Sequence, residues 1–451
     1  MEHLDRLRAL GLFDSRVPRY TSYPTAPIFS SAVGAAFQED ALRRIDPARA
    51  VSVYVHIPFC ERLCWFCACH TQGTKTLAPV EAYVESLEAE LALVAGMLPA
   101  GTRMGRLHWG GGTPTILPPE LIHRLAGAIR RAIAPADDYE FSVEIDPTMV
   151  DRAKIEALAA EGMNRTSLGI QDFDPEVQAA IGRIQSFEDT KRCVDDLRDF
   201  GIRSLNTDLV YGLPHQSDAR IVDTVAKVLT LEPDRTALFG YAHVPWASKR
   251  QKLIDEAALP DDMARYRLAG LAADMFAVAG YRRIGIDHFA IPGDGLELAA
   301  RSGRLRRNFQ GYTDDTCATL IGFGASSISR YPGGYVQNAH ATAAWAEHVA
   351  KGRLPGVKGH ALGPEDRLRA RAIEMLMCDF HLDRPALLAE FGEAVTLLDP
   401  VTREVAGRFG DLVEEGDLSL TITPEALPLA RIIAHAYDGY AVAGGRFSRA
   451  S

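Results

Sequence analysis

The segment VSVYVHIPFCERLCWFCACH (residues 51–70) decides the fold, because it joins a buried strand to a dense run of cysteines. Its first part, VSVYVHI (51–57), is rich in β-branched residues and predicts a strand. Four cysteines follow within ten residues, namely Cys60, Cys64, Cys67 and Cys69. Thiolates prefer soft metals and iron–sulfur clusters, and short spacings let one loop present several sulfurs to one centre. The segment therefore predicts a metal or redox site where the strand ends.

On the carboxyl side of this segment, short β-branched runs alternate with amphipathic stretches. EAYVESLEAELALVAGML (81–98) carries apolar residues at helical spacing, which predicts a helix. The later predicted strands are RLHW (106–109), EFSVEI (140–145), RTSLGI (165–170), SLNTDLV (204–210), ALFGYA (237–242) and RRIGIDHF (282–289). Repeated βα units of this kind predict a parallel sheet, either a barrel or a doubly wound sheet.

The positions of the polar and glycine residues favour a barrel. Many lie at or just after the carboxyl end of a predicted strand: the cysteines, Gly110–Gly112, Glu144, Gln171, Asp208 and the run 241–243. Barrel enzymes build their active sites at that edge from several strands, whereas an open sheet places a ligand in one crevice. Because six strands contribute, we expect an α/β fold with a partial TIM-like barrel.

Three regions are expected along the chain. Residues 1–49 form an N-terminal arm, residues 50–300 the partial (β/α) barrel, and residues 301–451 a mostly helical C-terminal domain that caps the substrate. The strand pattern is expected to stop near residue 300. The C-terminal features that support this division are helices in RLRARAIEMLMCDF (367–380) and ALPLARIIAHAYDGYAVAG (426–444), with a hairpin in LVEEGDLSLTIT (412–423).

The composition limits the function classes. The chain of 451 residues is 47% hydrophobic and 24% charged, as in an ordinary folded soluble protein. Its 49 basic and 59 acidic residues give a net charge of −10, which argues against nucleic acid or anionic lipid as a partner. It shows neither a secretory signal nor an apolar stretch long enough for a membrane span. We therefore expect a cytoplasmic protein.

The cysteine loop has two chemical interpretations. Three thiolates from one loop could hold a [4Fe–4S] cluster and leave one iron open to the amino and carboxylate groups of a substrate. The alternative is a structural zinc site, which usually pairs two Cys-x-x-Cys arms from separate segments. The remaining cysteines, Cys193, Cys317 and Cys378, are scattered singly and supply no second arm. A zinc-stabilised binding module therefore stays the less favoured alternative.

The pattern Cys-x-x-x-Cys-x-aromatic-Cys after a strand resembles the radical S-adenosylmethionine superfamily. More closely, the chain is similar to the oxygen-independent coproporphyrinogen III oxidase family, and the likeness covers nearly its whole length. The blocks that carry it are PRYTSYPTA (18–26), YVHIPFC (54–60), HWGGGTPT (108–115), EIDP (144–147), GIQDF (169–173), TDLVYGLP (207–214), YAHVP (241–245), GIDHFA (285–290), RNFQGYT (307–313) and GASSIS (324–329).

The resemblance implies a cofactor set. Cys60, Cys64 and Cys67 would bind one [4Fe–4S] cluster, while Cys69 is similar to a fourth cysteine of the family that is not a ligand. Two molecules of S-adenosylmethionine are implied. Residues implied for the first are Tyr54, Gly111, Glu144 and Ile328. Residues implied for the second are Phe66, Gly112, Thr113, Gln171, Arg183, Asp208 and Ala242. Taken alone, without the resemblance, Arg183 is interpreted as a surface hydrogen-bonder.

The resemblance also implies the reaction. A 5′-deoxyadenosyl radical would abstract hydrogen from two propionate side chains of coproporphyrinogen III, which become the vinyl groups of protoporphyrinogen IX. A reduced flavodoxin or ferredoxin would supply electrons to a monomeric enzyme. Arg19 and Arg307 are candidate propionate contacts, since Arg matches carboxylate geometry, although both could be plain surface residues. A haem chaperone of the same superfamily remains a further alternative.

Overall fold

The predicted strand at residues 51–57 lies inside a twelve-stranded sheet in the computed structural model, which describes residues 2–416, 419–440 and 447. The strands among these residues are β1 Val51–Ile57, β2 Phe59–Cys60, β3 Gln72–Gly73, β4 Arg103–Gly111, β5 Ala134–Ile145, β6 Arg165–Gln171, β7 Ser204–Tyr211, β8 Arg235–Gly240, β9 Arg282–Ile284, β10 His288–Ala290, β11 Arg306–Asn308, β12 Gly311–Thr313, β13 Leu320–Phe323, β14 Ile328–Tyr331, β15 Gly334–Asn338, β16 Gly356–Ala361, β17 His381–Leu382, β18 Val413–Gly416 and β19 Ser419–Ile422.

The order of strands in the large sheet is β16-β15-β14-β13-β1-β4-β5-β6-β7-β8-β10-β9. Strands β1 and β4 to β8 follow one another in this order and pair in parallel, and β13 also pairs in parallel with β1. The carboxyl ends of six successive strands thus meet at one edge. This parallel region has antiparallel strands on both of its sides. The partial barrel of parallel βα units predicted from the sequence is therefore confirmed.

Helices connect the parallel strands. The helices in the described residues are α1 Glu2–Ala9, α2 Ala35–Arg43, α3 Ala78–Ala95, α4 Pro119–Ala132, α5 Arg152–Ala160, α6 Pro175–Ala180, α7 Phe187–Asp199, α8 Asp218–Thr230, α9 Asp262–Val278, α10 Gly295–Arg301, α11 Thr342–Ala350, α12 Pro364–Cys378, α13 Arg384–Phe391, α14 Asp399–Phe409 and α15 Ala430–Ala436. Helices α5, α6, α7 and α9 start beside Asp151, Asp174, Ser186 and Asp261, whose side chains accept hydrogen bonds from first-turn amides. Such N-caps stabilise a helix by about 1 kcal/mol each.

The main core lies between this sheet and its helices. Six of the seven residues of β1 are buried, as expected for a parallel strand that is covered on both faces. Tyr54 is the half-buried exception and faces the cavity described below. The helix predicted over 81–98 is confirmed as α3, whose Glu90 is buried and accepts hydrogen bonds from Gly324, Asn338 and Trp345.

The prediction that strands stop near residue 300 is wrong. Strands β13 to β16 continue the sheet to Ala361, and the mostly helical region begins only at Pro364. The first three of these strands are four or five residues long and are joined as antiparallel hairpins. They lack the intervening helices on which the βα pattern depends, so the sequence pattern did not reveal them.

Two further elements differ in detail from the sequence expectation. The run 282–289 was predicted as one strand, but a turn at residues 285–287 folds it into the hairpin β9–β10. The last predicted helix (426–444) starts as a 3₁₀ turn at Pro424–Leu429 and continues as α15 to Ala436. Its final part, residues 441–444, lies outside the described residues. The hairpin expected at 412–423 is present as β18 and β19.

A second core joins the two ends of the chain. Leu7, Leu12, Phe13 and Val17 of the N-terminal arm pack with buried side chains of α12, α14 and α15. The arm therefore does not stand alone, because its first part shares a core with the C-terminal helices. None of the helices in the described part of the chain is long and apolar enough to cross a membrane.

Candidate active site

A cavity of about 790 Å³ lies at the carboxyl edge of the parallel strands. Its lining includes every residue that the sequence assigned to the cluster or to S-adenosylmethionine: Tyr54, Cys60, Cys64, Phe66, Cys67, Gly111, Gly112, Thr113, Glu144, Gln171, Arg183, Asp208, Ala242 and Ile328. These residues come from β1, β4 to β8, β14 and the loops that follow them. A fold that gathers them from seven strands places them on one wall, although their individual roles remain predictions.

The cysteine loop (residues 60–70) presents its thiols to this cavity. Cys60 and Cys64 are buried, and Cys67 is half-buried. Burial raises the pKa of the Cys60 thiol to about 11, although a hydrogen bond from Thr113 (Oγ1 to Sγ, 3.6 Å) opposes this. The pKa of Cys67 is lowered to about 6, mainly because the Cys69 side chain donates to its sulfur, with the Cys69 amide 3.4 Å away. The loop therefore already favours a thiolate at Cys67.

The glycine run after β4 lies directly against the cysteine loop. The amides of Gly112 and Thr113 donate to the carbonyl oxygens of Ile57 and Phe59, each at 2.8 Å. A Cβ atom on Gly112 would lie 2.5 Å from the Phe59 oxygen, so only glycine fits. Gly111 has φ +114°, a backbone conformation that favours glycine. These hydrogen bonds connect the glycine run to residues 57–59, and the glycines leave this part of the cavity wall free of side chains.

Glu144 at the end of β5 forms the centre of a polar network. Its carboxylate accepts hydrogen bonds from the Gly111 amide (3.0 Å) and from His108 Nε2 (3.2 Å). Burial raises the pKa of Glu144, but these donors outweigh burial and the net pKa is lowered. Tyr54 stacks on His108 at 5.9 Å and hydrogen-bonds His56 through its hydroxyl. Glu144 is therefore an ionised acceptor that faces the cavity.

Arg183 is a buried cation beside the cysteines. Its Nη1 lies 3.0 Å from a carboxylate oxygen of Asp146 and 3.7 Å from Cys64 Sγ. Its other nitrogens donate to Gly169 O (2.8 Å) and to Gln185 (3.1 Å). Taken alone, the sequence favoured a surface hydrogen-bonder here, and that interpretation is wrong. The structure places a positive charge next to the sulfurs, which stabilises negative charge on them.

Asp208 and Gln171 also line this cavity. Asp208 accepts hydrogen bonds from Ser167 (2.9 Å) and Asn206 (2.8 Å), and burial raises its pKa. Gln171 has φ +70°, an uncommon conformation for a residue other than glycine. Such local strain persists where the surrounding structure fixes it, often at a binding site. Its side chain points towards Gly169, next to the guanidinium of Arg183.

Three residues that the sequence did not single out hold the cysteine loop in place. Ser248 donates to the carbonyl of Cys67 (2.9 Å), and Arg250 donates to the carbonyl of Cys69 (3.2 Å). The buried Gln251 donates to the carbonyls of Phe66 (2.7 Å) and Ala242 (3.1 Å). These contacts span about 180 positions along the chain, so no local pattern could have revealed them.

The donor set fits an iron–sulfur cluster. Three thiols from one loop are available, Thr113 and the Cys69 amide supply hydrogen bonds to the sulfurs, and Arg183 supplies positive charge. These are the interactions that orient and tune thiolate ligands. In the described part of the chain, no three His, Cys, Asp or Glu side chains are grouped so as to hold a single metal ion.

A second cavity, of about 1050 Å³, adjoins the first, and both are lined by Arg19 and residues 240–242. Arg19 donates to the carbonyl of Gly240 (2.9 Å) and keeps solvent-accessible surface within the cavity. Arg307 donates from Nε to the carbonyl of Arg19 (3.2 Å). Its Nη1 is buried and has no hydrogen-bond partner among the described residues. The two arginines named from the sequence thus lie side by side.

Asp287 and Arg431 line the second cavity together with Arg19 and Arg307, and neither of them was assigned from the sequence. Asp287 lies 3.9 Å from Arg307 Nη1, and although burial opposes ionisation, Arg307 and His288 hold its pKa at about 2. Burial lowers the pKa of Arg431 in α15 to about 9, and the nearby positive charges of Arg19 and Arg307 add to this shift. Guanidinium groups from three distant segments therefore converge at the junction of the cavities.

The parallel βα barrel with a cysteine loop after its first strand defines a class of enzyme. A profile of the radical SAM superfamily matches residues 54–228, which span the sheet from β1 to α8. A solved structure of the coproporphyrinogen III oxidase of Escherichia coli, described as a radical SAM enzyme, superposes with a TM-score of 0.90 at 34% identity. That likeness covers 95% of this chain and 100% of the other. The chain has the radical SAM fold.

Full-length relatives narrow the class to one family. The chain is 62% identical to "Coproporphyrinogen III oxidase, anaerobic 1" of Cereibacter sphaeroides over 452 residues, with 100% of both chains covered. It is 53% identical to the oxygen-independent coproporphyrinogen III oxidase of Paracoccus denitrificans, again with 100% of both covered. The chain therefore belongs to the oxygen-independent coproporphyrinogen III oxidase family.

Proposed function

We propose that this enzyme converts coproporphyrinogen III to protoporphyrinogen IX without oxygen, by oxidative decarboxylation of two propionate side chains in haem biosynthesis. The observation that carries the proposal is the junction of two cavities. One is lined by the three cysteines and the S-adenosylmethionine candidates, and the other by converging arginines. Full-length membership of the oxidase family supports the same reaction.

The residues of the first cavity divide the work of holding the cofactors. Cys60, Cys64 and Cys67 would ligate the [4Fe–4S] cluster, and Arg183 would balance its negative charge. When bound, the cluster and S-adenosylmethionine would supply a 5′-deoxyadenosyl radical for hydrogen abstraction from the propionate, and loss of carbon dioxide to form the vinyl group would also need a one-electron acceptor. The protein positions the reactants and excludes water, as cofactor enzymes generally do.

Two S-adenosylmethionine molecules are part of the proposal. Glu144, with its low pKa, offers an ionised acceptor for ribose hydroxyls or an amino group of the first molecule. The bare backbone at Gly111 lets a ligand approach β4 closely. The second molecule would contact the wall formed by Gln171, Arg183 and Asp208, together with the loop residues Phe66, Gly112, Thr113 and Ala242.

The arginines at the cavity junction would bind the propionates. Arg307 Nη1 is a buried donor without an acceptor, and a carboxylate is the acceptor that a guanidinium matches best. Arg19 lines both cavities, so a propionate held there would lie at the boundary of the cofactor site. Binding a propionate there would thus bring its β-carbon towards the S-adenosylmethionine residues.

An anaerobic assay tests the reaction directly. Reconstituted enzyme is incubated with S-adenosylmethionine, coproporphyrinogen III and a strong chemical reductant. We expect 5′-deoxyadenosine and protoporphyrinogen IX to form together. Formation of 5′-deoxyadenosine without protoporphyrinogen IX would contradict coproporphyrinogen III as the substrate. Tight haem binding without turnover would instead identify the haem chaperone, which the full-length likeness to named oxidases disfavours. Zinc without iron or sulfide would identify the binding module.

Replacing Glu144 with glutamine is expected to weaken S-adenosylmethionine binding about fivefold, because a hydrogen bond to a charged group exceeds a neutral one by roughly 1 kcal/mol. The side-chain NH2 group of the glutamine would also face the Gly111 amide or His108 Nε2, which both donate to the carboxylate of Glu144. Equilibrium dialysis with labelled cofactor measures the effect. The exposed Glu120→Gln in α4 serves as the control. Unchanged binding in the Glu144 variant would remove this residue from the cofactor site.

Three further properties belong to the proposal. We infer a cytoplasmic location because none of the seven cysteines, all of which lie in the described residues, is in a disulfide, and an iron–sulfur cluster needs reduced thiols. We infer a monomer, because one chain contributes both cavities and the cysteine loop. A reduced flavodoxin or ferredoxin would supply the electron. Sedimentation of the anaerobic protein tests the oligomeric state, and a dimer would contradict it.

A further inference from the structure

The carboxylate of Asp287 faces three guanidinium groups at the junction of the cavities. The arginine group consists of Arg19, Arg307 and Arg431, and Asp287 acts electrostatically on each of its members. Asp287 Oδ1 lies 3.9 Å from Arg307 Nη1, which is close enough for attraction but too far for a hydrogen bond. The two side chains therefore form an ion pair in which each partner can still make another contact.

The turn at residues 285–287 fixes Asp287 at the boundary of the two cavities. The Asp287 carbonyl accepts a hydrogen bond from the Leu238 amide at 2.7 Å, and His288 Nδ1 lies 2.7 Å from Asp287 Oδ1. Asp287 lines the second cavity, whereas His288 lines the first. Because the backbone is held in place, the carboxylate can change its partner only by a small movement of its side chain.

The proposed reaction removes a negative charge from the group that the arginines bind. A propionate enters as a carboxylate, and the vinyl group that remains cannot pair with a cation. Arg307 and Arg431 are buried, and a buried charge that loses its partner is costly. A shift of about 1 Å would bring Asp287 within hydrogen-bond distance of Arg307 Nη1. Asp287 is therefore close enough to replace the carboxylate that the reaction consumes.

We propose that Asp287 is a positioning residue that exchanges with the substrate propionate as the partner of Arg307. With substrate bound, the propionate accepts the hydrogen bond from Nη1 that Asp287 does not accept. Once the side chain is a vinyl group, Asp287 accepts this hydrogen bond and the vinyl group leaves the arginine group. The site is then ready for the second propionate. The inference rests on the proposed function, because it requires a propionate at Arg307.

Binding measured without S-adenosylmethionine tests the competition between the two carboxylates. Asp287→Asn removes the charge and nearly keeps the size of the side chain. We expect this variant to bind coproporphyrinogen III about tenfold more tightly, because a competing and repelling carboxylate is gone. Damage to the fold would weaken binding instead. Asp287→Glu restores the charge and should return the Kd towards that of the parent. Equilibrium dialysis under argon measures these values and does not depend on turnover.

Turnover should change in the opposite direction. In the loaded Asp287→Asn enzyme we expect kcat to fall about tenfold while KM also falls, because the arginine group keeps the carboxylate that it binds. Chromatography should show a larger share of porphyrinogen with one vinyl group and three propionates, because exchange between the two reactions is slower. The matched control is Asp138→Asn, at an exposed position of β5, which should leave the Kd, kcat and product ratio unchanged.

The contrary outcomes separate this inference from the proposed function. Unchanged or weaker binding by Asp287→Asn, with Arg307→Ala still impaired in binding, would overturn the exchange alone. In the Arg307→Ala background, Asp287→Asn should no longer strengthen binding. A full tenfold gain there would show that Asp287 acts on a different group, which also overturns the exchange. If Arg307→Ala bound coproporphyrinogen III like the parent, the propionate site of the proposed function would itself be wrong.

Discussion

Replacing Cys64 with alanine is expected to abolish cluster assembly and with it all formation of 5′-deoxyadenosine. Cys64 is buried, lines the first cavity and has the guanidinium of Arg183 3.7 Å from its sulfur. Without this thiolate, only two sulfurs of the proposed ligand set remain. We expect iron and sulfide content to fall to background after anaerobic reconstitution. Activity should fall more than about a hundredfold, because residues outside a ligand set already change metal affinity by about 10–100-fold.

Cys69→Ala is the matched control for this experiment. Cys69 belongs to the same loop, and alanine removes its side-chain hydrogen bond to Cys67 but keeps its backbone amide contact, while the three proposed ligands stay in place. The variant should therefore bind as much iron and sulfide as the parent and show the same charge-transfer bands in its visible absorption spectrum. Full iron content in the Cys64 variant would contradict the assignment of that cysteine. Loss of iron in both variants would mean that the proposed ligand set omits one cysteine.

The sequence predicted the site better than it predicted the outline of the fold. Each of the parallel strands β1 and β4 to β8 carries a cavity-lining residue near its carboxyl end, and the runs predicted as strands stop beside polar or glycine residues. The cysteine loop is local, so its chemistry could be read from a single segment. Strands β13 to β15 were missed because hairpin strands of four or five residues resemble irregular loops.

Long-range contacts were beyond local patterns. Gln251 is an ordinary glutamine in the sequence, and only folding brings it to the carbonyl of Phe66. Arg183 looked like a surface residue because its partner Asp146 lies 37 positions earlier, after another strand. Arg431 meets Arg19 only because the two ends of the chain share a core. Such residues depend on the relative placement of elements, which periodicity does not specify.

The buried charges at the cavity junction make Arg307 the most informative position for substrate binding. Its guanidinium lies over the Tyr312 ring at 4.4 Å, and its Nε donates to the carbonyl of Arg19. Its buried Nη1 has no hydrogen bond among the described residues and lies 3.9 Å from Asp287. A buried donor without a partner costs about 1–3 kcal/mol, so a propionate oxygen that supplied the missing acceptor would be bound correspondingly well.

Replacing Arg307 with alanine is expected to lower kcat/KM for coproporphyrinogen III by about a hundredfold or more, since loss of one partner of a buried charge pair costs about 2–5 kcal/mol. Binding of S-adenosylmethionine should persist, because Arg307 lines only the second cavity. Arg307→Lys keeps the charge but loses the paired donors, so it should recover only part of the activity. The exposed Arg304→Ala is the control.

If turnover fell together with cofactor binding or iron content, the defect would lie in folding and not in propionate recognition. If turnover of the Arg307→Ala enzyme matched that of the parent, the propionate would have to bind elsewhere.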